Sequence, residues 1–206
     1  MEDLVAPGRA ALVLQEVQNG VVGEMSTLPA LAEAGRKVGM IAHIGRLARA
    51  ARAAGVPVVH STAENLPHGF GTSRNARVFA GALKAGATNE PGSESVQVVA
   101  EVGVGPRDIV LPRFYGLSPL TCTPLDALLR NDGVSTVVVA GVSLNLAIPN
   151  LVFDAINRSY QVVLVTDAVA GVPDGYGEQL IENTLSLLAT LTTTAELEAV
   201  WSALDA

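Results

Sequence analysis

Five short apolar runs limit what this chain can fold into: ALVLQEV (11–17), VPVVH (56–60), DIVL (108–111), STVVVAG (135–141) and QVVLVTD (161–167). They are rich in valine, leucine and isoleucine and end at glycine, proline or polar turns, as strands covered on both faces of a parallel sheet do. Helical spacing fills the gaps. In 39–55, Ile41, Ile44, Leu47, Ala48 and Ala51 share one face, Arg46, Arg49 and Arg52 lie off it, and Gly55 supplies a stop. Residues 123–133 open with Thr123 as N-cap, Pro124 at the first helical position and Asp126 closing a box-like cap. Residues 145–160 give a further helix with Pro149 in its first turn, where a missing amide hydrogen costs little. Two more helices are expected over 177–191 and 193–205. The alternation predicts a three-layer α/β/α fold with a mostly parallel central sheet, as a single domain over residues 1–206. The least regular stretch, 61–97, is expected to form a rim or lid over a site.

Composition narrows the function classes. The formal net charge is −7, from 20 acidic and 13 basic residues, and no basic patch stands out, so no nucleic-acid partner is expected. No apolar run approaches the length of a membrane span, and the first residues carry acid where a secretory leader carries positive charge. One cysteine, Cys122, allows no internal disulfide and fits a reducing compartment. The expected setting is cytoplasmic.

Ligands of open parallel sheets bind beyond the carboxyl ends of the strands. That rule selects Glu16 after the first run, His60 after the second, Arg113, Phe114 and Tyr115 after the third, Asn145 after the fourth and Asp167 after the fifth. Glu16, a carboxylate beside a buried strand, suits proton transfer or, alternatively, orients its loop by accepting hydrogen bonds. Arg113 suits an anion clamp, since a guanidinium holds a carboxylate with two parallel hydrogen bonds; its alternative is a structural pair with Glu16, Asp167 or a surface acid. Phe114 and Tyr115 can wall a pocket, and His60 and Asn145 can bind substrate. His43, His60 and His68 form no metal-ligand spacing, and the glycines of PHGFGT (67–72) match no phosphate loop, so neither a metal nor a cofactor is expected. Cys122 precedes a helix without a basic neighbour and reads as a small buried hydrophobe rather than a nucleophile.

In order along the chain, ALVLQEVQNG, IGRLARAARAAGVPVVHST, DIVLPRFYG and STVVVAGVSLNLAIPNLVFDAINRSYQVVLVTDAVAG resemble the isochorismatase-like cysteine hydrolase superfamily, over roughly residues 9 to 195. That superfamily includes nicotinamidases, N-carbamoyl amide hydrolases and isochorismatases. Its triad is aspartate, lysine and cysteine. The resemblance puts Glu16 at the aspartate position, Leu111 at the lysine position and Ala147 at the cysteine position. A methyl group therefore stands where the amidases present a thiolate. Isochorismatases of this fold also replace the cysteine with a small residue and work through the acid. The turn Gly141–Val142–Ser143 resembles the family's non-proline cis peptide.

The resemblance implies a hydrolase-like fold with a thiol-independent site, a hydrolase or lyase-like enzyme in which Glu16 acts as acid or base on a small oxygen-rich metabolite. It also implies a homo-oligomer, with a dimer favoured. Two other readings stay open: a catalytically inactive protein that binds a small molecule, and a partner subunit.

Overall fold

The computed structural model describes residues 1–84, 86 and 89–204, so residues 85, 87 and 88 of the irregular 61–97 stretch lie outside the described residues. Among the described residues six strands form one sheet: β1 (Ala10–Gln15), β2 (Val58–Ala63), β3 (Ile109–Arg113), β4 (Thr136–Val142), β5 (Gln161–Ala170) and β6 (Thr190–Thr192). Their order is β3-β2-β1-β4-β5-β6, and every neighbouring pair is parallel. The chain first builds outward from β1 through β2 to β3, then returns to the other side of β1. That reversal opens a crevice at the carboxyl ends of the central strands.

Helices α1 (Glu2–Val5), α2 (Pro29–Lys37), α3 (Met40–Ala53) and α4 (Arg77–Lys84) come from the first half of the chain. The second half adds α5 (Pro119–Cys122), α6 (Leu125–Asn131), α7 (Ala147–Asn157), α8 (Tyr176–Asn183) and α9 (Thr194–Leu204). Period-two alternation sends Leu12 and Leu14 to one face, where they join Ile44 and Leu47 of α3 and the fully buried Trp201 of α9. Ala11 and Val13 point to the other face and pack with Leu125 of α6 and Ile148 and Leu151 of α7. The three-layer α/β/α architecture expected from the sequence is the one observed. Among the described residues no helix is long and apolar enough to cross a membrane.

Several local expectations are corrected. The 177–191 segment is not one helix: α8 stops at Asn183, a short 3-10 turn follows, and Thr190–Thr192 form an edge strand beside β5. β2 runs on to Ala63, so His60 lies within the strand rather than at its end. Thr123 does cap the segment before α6, its hydroxyl accepting from Leu125 N at 3.1 Å, but Pro124 occupies the N-cap. Asp126 closes no capping box; its carboxylate accepts from Tyr160 Oη at 2.9 Å and pairs with Arg130 and Arg158.

Close approach of β1 and β4 sets the geometry at the sheet's upper edge. Gly141 sits opposite Gln15 with φ of +110°, and a Cβ there would overlap the Gln15 carbonyl oxygen. Only glycine fits. One residue further on, the Val142–Ser143 peptide is cis, and α7 starts at Ala147.

Candidate active site

β1 ends at Gln15, and the next residue, Glu16, takes a left-handed conformation with φ of +55°. A non-glycine residue rarely holds that geometry unless its surroundings fix it. Here the fixing groups are visible. Glu16 N donates to Ser61 O at 2.8 Å, and Glu16 Oε1 accepts from the Gln15 amide at 3.1 Å and from the Arg113 guanidinium. Gln15 Nε2 also donates to Leu117 O at 3.2 Å. Both of its neighbours are pure acceptors, which fixes the amide with its nitrogen towards them. Among the described residues nothing donates to Glu16 Oε2.

Arg113 ends β3 and is 5% exposed. Besides Glu16, its guanidinium donates through Nη1 to the carbonyls of Tyr115 and Gly116, which folds the 113–118 segment back over the strand end. Gly116 N in turn donates to Ser73 Oγ at 3.1 Å. Arg113 is thus occupied by the protein's own carboxylate. Of the two alternatives for this residue, the structure shows the internal pair with Glu16.

Glu16 and Arg113 form part of the wall of a cavity of about 140 Å³ above β1, β2 and β3. Glu64 and Asn65 contribute from the end of β2, Phe114 and Tyr115 from the end of β3, and Val78 and Phe79 from α4. Glu64 Oε1 accepts from Thr62 Oγ1 at 2.8 Å, and no described residue donates to its Oε2. The 61–97 region accordingly forms one side of this cavity through Glu64, Val78 and Phe79.

Other residues singled out from the sequence lie elsewhere. Asn145 is not in the cavity wall; its Oδ1 accepts from Val172 N at 3.2 Å and ties the β4–α7 turn to the end of β5. His60 is buried on the α3 side, with Nε2 at 2.9 Å from Asp108 Oδ2. Burial holds the imidazole below its ordinary pKa against the opposing pull of Asp108. Burial also pushes Asp108 upward, but hydrogen bonds from Arg52, His60 and Gly105 N outweigh it and hold the carboxyl below its usual range. This is a structural cluster beneath the sheet edge. Leu111 packs into the α5–α7 side of the core, and Ala147, 3% exposed, is covered at the start of α7; neither lines the cavity. Asp167 accepts from both N and Oγ1 of Thr194 and so caps α9. Burial pushes the Cys122 thiol up. Among the described residues no group of three or more His, Cys, Asp or Glu side chains is placed to hold a metal ion.

Sequence reasoning missed Gln15 and Glu64. Gln15 carried a signal: a fully buried amide at the end of the apolar strand AALVLQ needs hydrogen-bond partners. Glu64 carried none, since its position depends on where β2 ends.

Comparison with known proteins agrees with this architecture. The ureidoacrylate amidohydrolase of Pseudomonas syringae pv. syringae is 26% identical over 190 residues, spanning 84% of this chain and 75% of that protein. An isochorismatase family protein from Burkholderia thailandensis superposes with a TM-score of 0.77 at 26% identity, covering 96% of this chain and 98% of that one. A cysteine hydrolase from Pseudomonas syringae pv. phaseolicola shares the fold at a TM-score of 0.80 and 22% identity, over 97% of this chain and 95% of that one. Residues 10–196 match the isochorismatase domain, and the chain belongs to the isochorismatase family.

Proposed function

We propose that this protein is a thiol-independent hydrolase of a small polar metabolite, with Glu16 as the proton-transfer group. One observation carries the reading. Glu16 is anchored through Oε1 by Gln15 and Arg113, while Oε2 has no described donor and the residue forms part of the cavity wall. A carboxylate fixed at one oxygen and open at the other suits a general base. Glu16 takes a proton from a water molecule, the water oxygen bonds to the electrophilic carbon of the ligand, and the leaving group departs with the proton. The strained backbone at Glu16 supports a functional role.

Membership of the family supports hydrolysis, and the residues favour a route without a covalent intermediate. Ala147 and Leu111 replace nucleophile and lysine and supply no nucleophile or charge. Cys122 has its thiol pushed up by burial and does not line this cavity. A second reading, ligand binding without turnover, is favoured by the pair that already occupies Glu16.

A metabolite extract incubated in ¹⁸O-labelled water with wild type and with Glu16→Gln tests the proposal. The expected result is a compound that gains label with wild type and does so at least about 100-fold more slowly with the variant. Binding of that compound should weaken far less than its turnover. A compound that binds and is never labelled puts the binding reading ahead.

A further inference from the structure

Three side chains with a formal charge at neutral pH form part of the cavity wall: Glu16, Glu64 and Arg113. Two carboxylates and one guanidinium line the cavity, and that guanidinium is spent. Its Nη atoms serve Glu16, Tyr115 O and Gly116 O, and its Nε is buried out of reach with no partner. Each carboxylate keeps an oxygen, Oε2, to which no described residue donates. Residues 85, 87 and 88 are Ala, Ala and Thr and add no charge by identity. The charged side chains of the cavity therefore carry a formal net charge of −1, inside a chain of net charge −7, and the hydroxyls of Thr27, Thr72 and Ser73 that also line it are neutral. A ligand carboxylate could gain a charged partner here only by displacing Glu16 from Arg113 and stranding it. It would also approach against the field of the whole molecule.

From this we infer that the cavity selects a small hydrogen-bond donor of zero or positive charge, an amine or an amide bearing N–H groups, and rejects carboxylates. The donor end meets Glu16 Oε2 and Glu64 Oε2. The apolar body lies against Val78, Phe79 and Phe114, and an ammonium group gains further from the aromatic faces. This deepens the reading of the cavity as the ligand site and names the class of molecule that enters it. It also separates this chain from the ureidoacrylate amidohydrolases it resembles, whose named ligand carries a carboxylate.

Benzylamine, benzamide and benzoate share one apolar body and differ in charge, and their binding to the intact protein can be followed by ligand-observed NMR and calorimetry. Benzylamine and benzamide are expected to bind, and benzoate to bind at least about tenfold more weakly. Glu64→Gln should weaken benzylamine severalfold and leave benzamide within twofold. Val78→Trp, which fills the cavity, should remove both. Benzoate binding as tightly as the other two, no binding by any of the three, or binding that survives Val78→Trp overturns the inference. Because the assay reads binding alone, its failure is distinct from a failure of catalysis at Glu16. A correct preference with unchanged turnover in Glu16→Gln would sink only the catalytic role.

Discussion

The residue that defines this site is Glu16, and its chemistry is set by two neighbours. Arg113 and Glu16 pair with side-chain exposures of 6% and 15%, so both charges are largely withdrawn from bulk water. Removing one partner of such a pair leaves an uncompensated charge, which costs far more than a surface salt bridge is worth. Arg113→Met should therefore destabilise the protein by about 3 kcal/mol, read from urea unfolding. Glu16→Gln/Arg113→Met should recover at least half of that loss. A single-variant cost below about 0.5 kcal/mol would mean the pair behaves as if solvated. His60 makes a second prediction at this scale. Burial holds its pKa below the ordinary 6.5, so as pH falls the unfolded chain takes up the proton first. The stability that the neutral ring contributes is complete above pH 6.5 and is lost as pH drops below that value. Unfolding free energy should fall between pH 7 and pH 5, by at most about 1.4 kcal/mol per pH unit from this group. His60→Gln, which keeps a donor for Asp108, should flatten that slope by half or more.

At the scale of elements, the contact between β1 and β4 is the structural condition for the site. Gly141 lets the two backbones close up beside Gln15, directly before Glu16. Gly141→Ala combines overlap with the Gln15 backbone and a left-handed φ that alanine disfavours. It should cost on the order of 3–5 kcal/mol in chemical denaturation, or prevent folding. Which elements could be read from sequence follows from how much each depends on distant partners. β1, β2, β4 and β5 were legible because burial on both faces writes a continuous apolar run, and β3, an edge strand with Val110 exposed, was legible from the run DIVL although it is not covered on both faces. The edge strand Thr190–Thr192 was not, since it is three residues long and two of them are exposed. Pro149 fell correctly into the first turn of α7, because a proline there is a local constraint. Asp126 was misread because its partners Tyr160 and Arg158 come from beyond α7, where sequence spacing carries no information. In the site, Glu16, Arg113, Phe114 and Tyr115 were legible as strand-end residues. His60 and Asn145 met the same rule but point their polar atoms at Asp108 and Val172. A strand-end position says where a residue stands, not what satisfies it.

For the whole molecule, the central claim is that the isochorismatase fold here carries a cavity that works through a carboxylate and not through a thiol. The fold supplies the crevice at the carboxyl edge of the sheet, and the 113–118 segment and α4 shape the cavity on the β1–β2–β3 side, away from the covered Ala147. The lone thiol, Cys122, belongs to α5 and is raised in pKa by burial. The most direct measurement is ¹⁸O incorporation from labelled water into the protein's product, compared side by side in wild type, Cys122→Ser and Glu16→Gln. The account predicts that Cys122→Ser labels product at the wild-type rate, while Glu16→Gln loses at least about 100-fold in labelling rate, far more than it loses in ligand affinity. Labelling abolished by Cys122→Ser, or retained by Glu16→Gln, would contradict it.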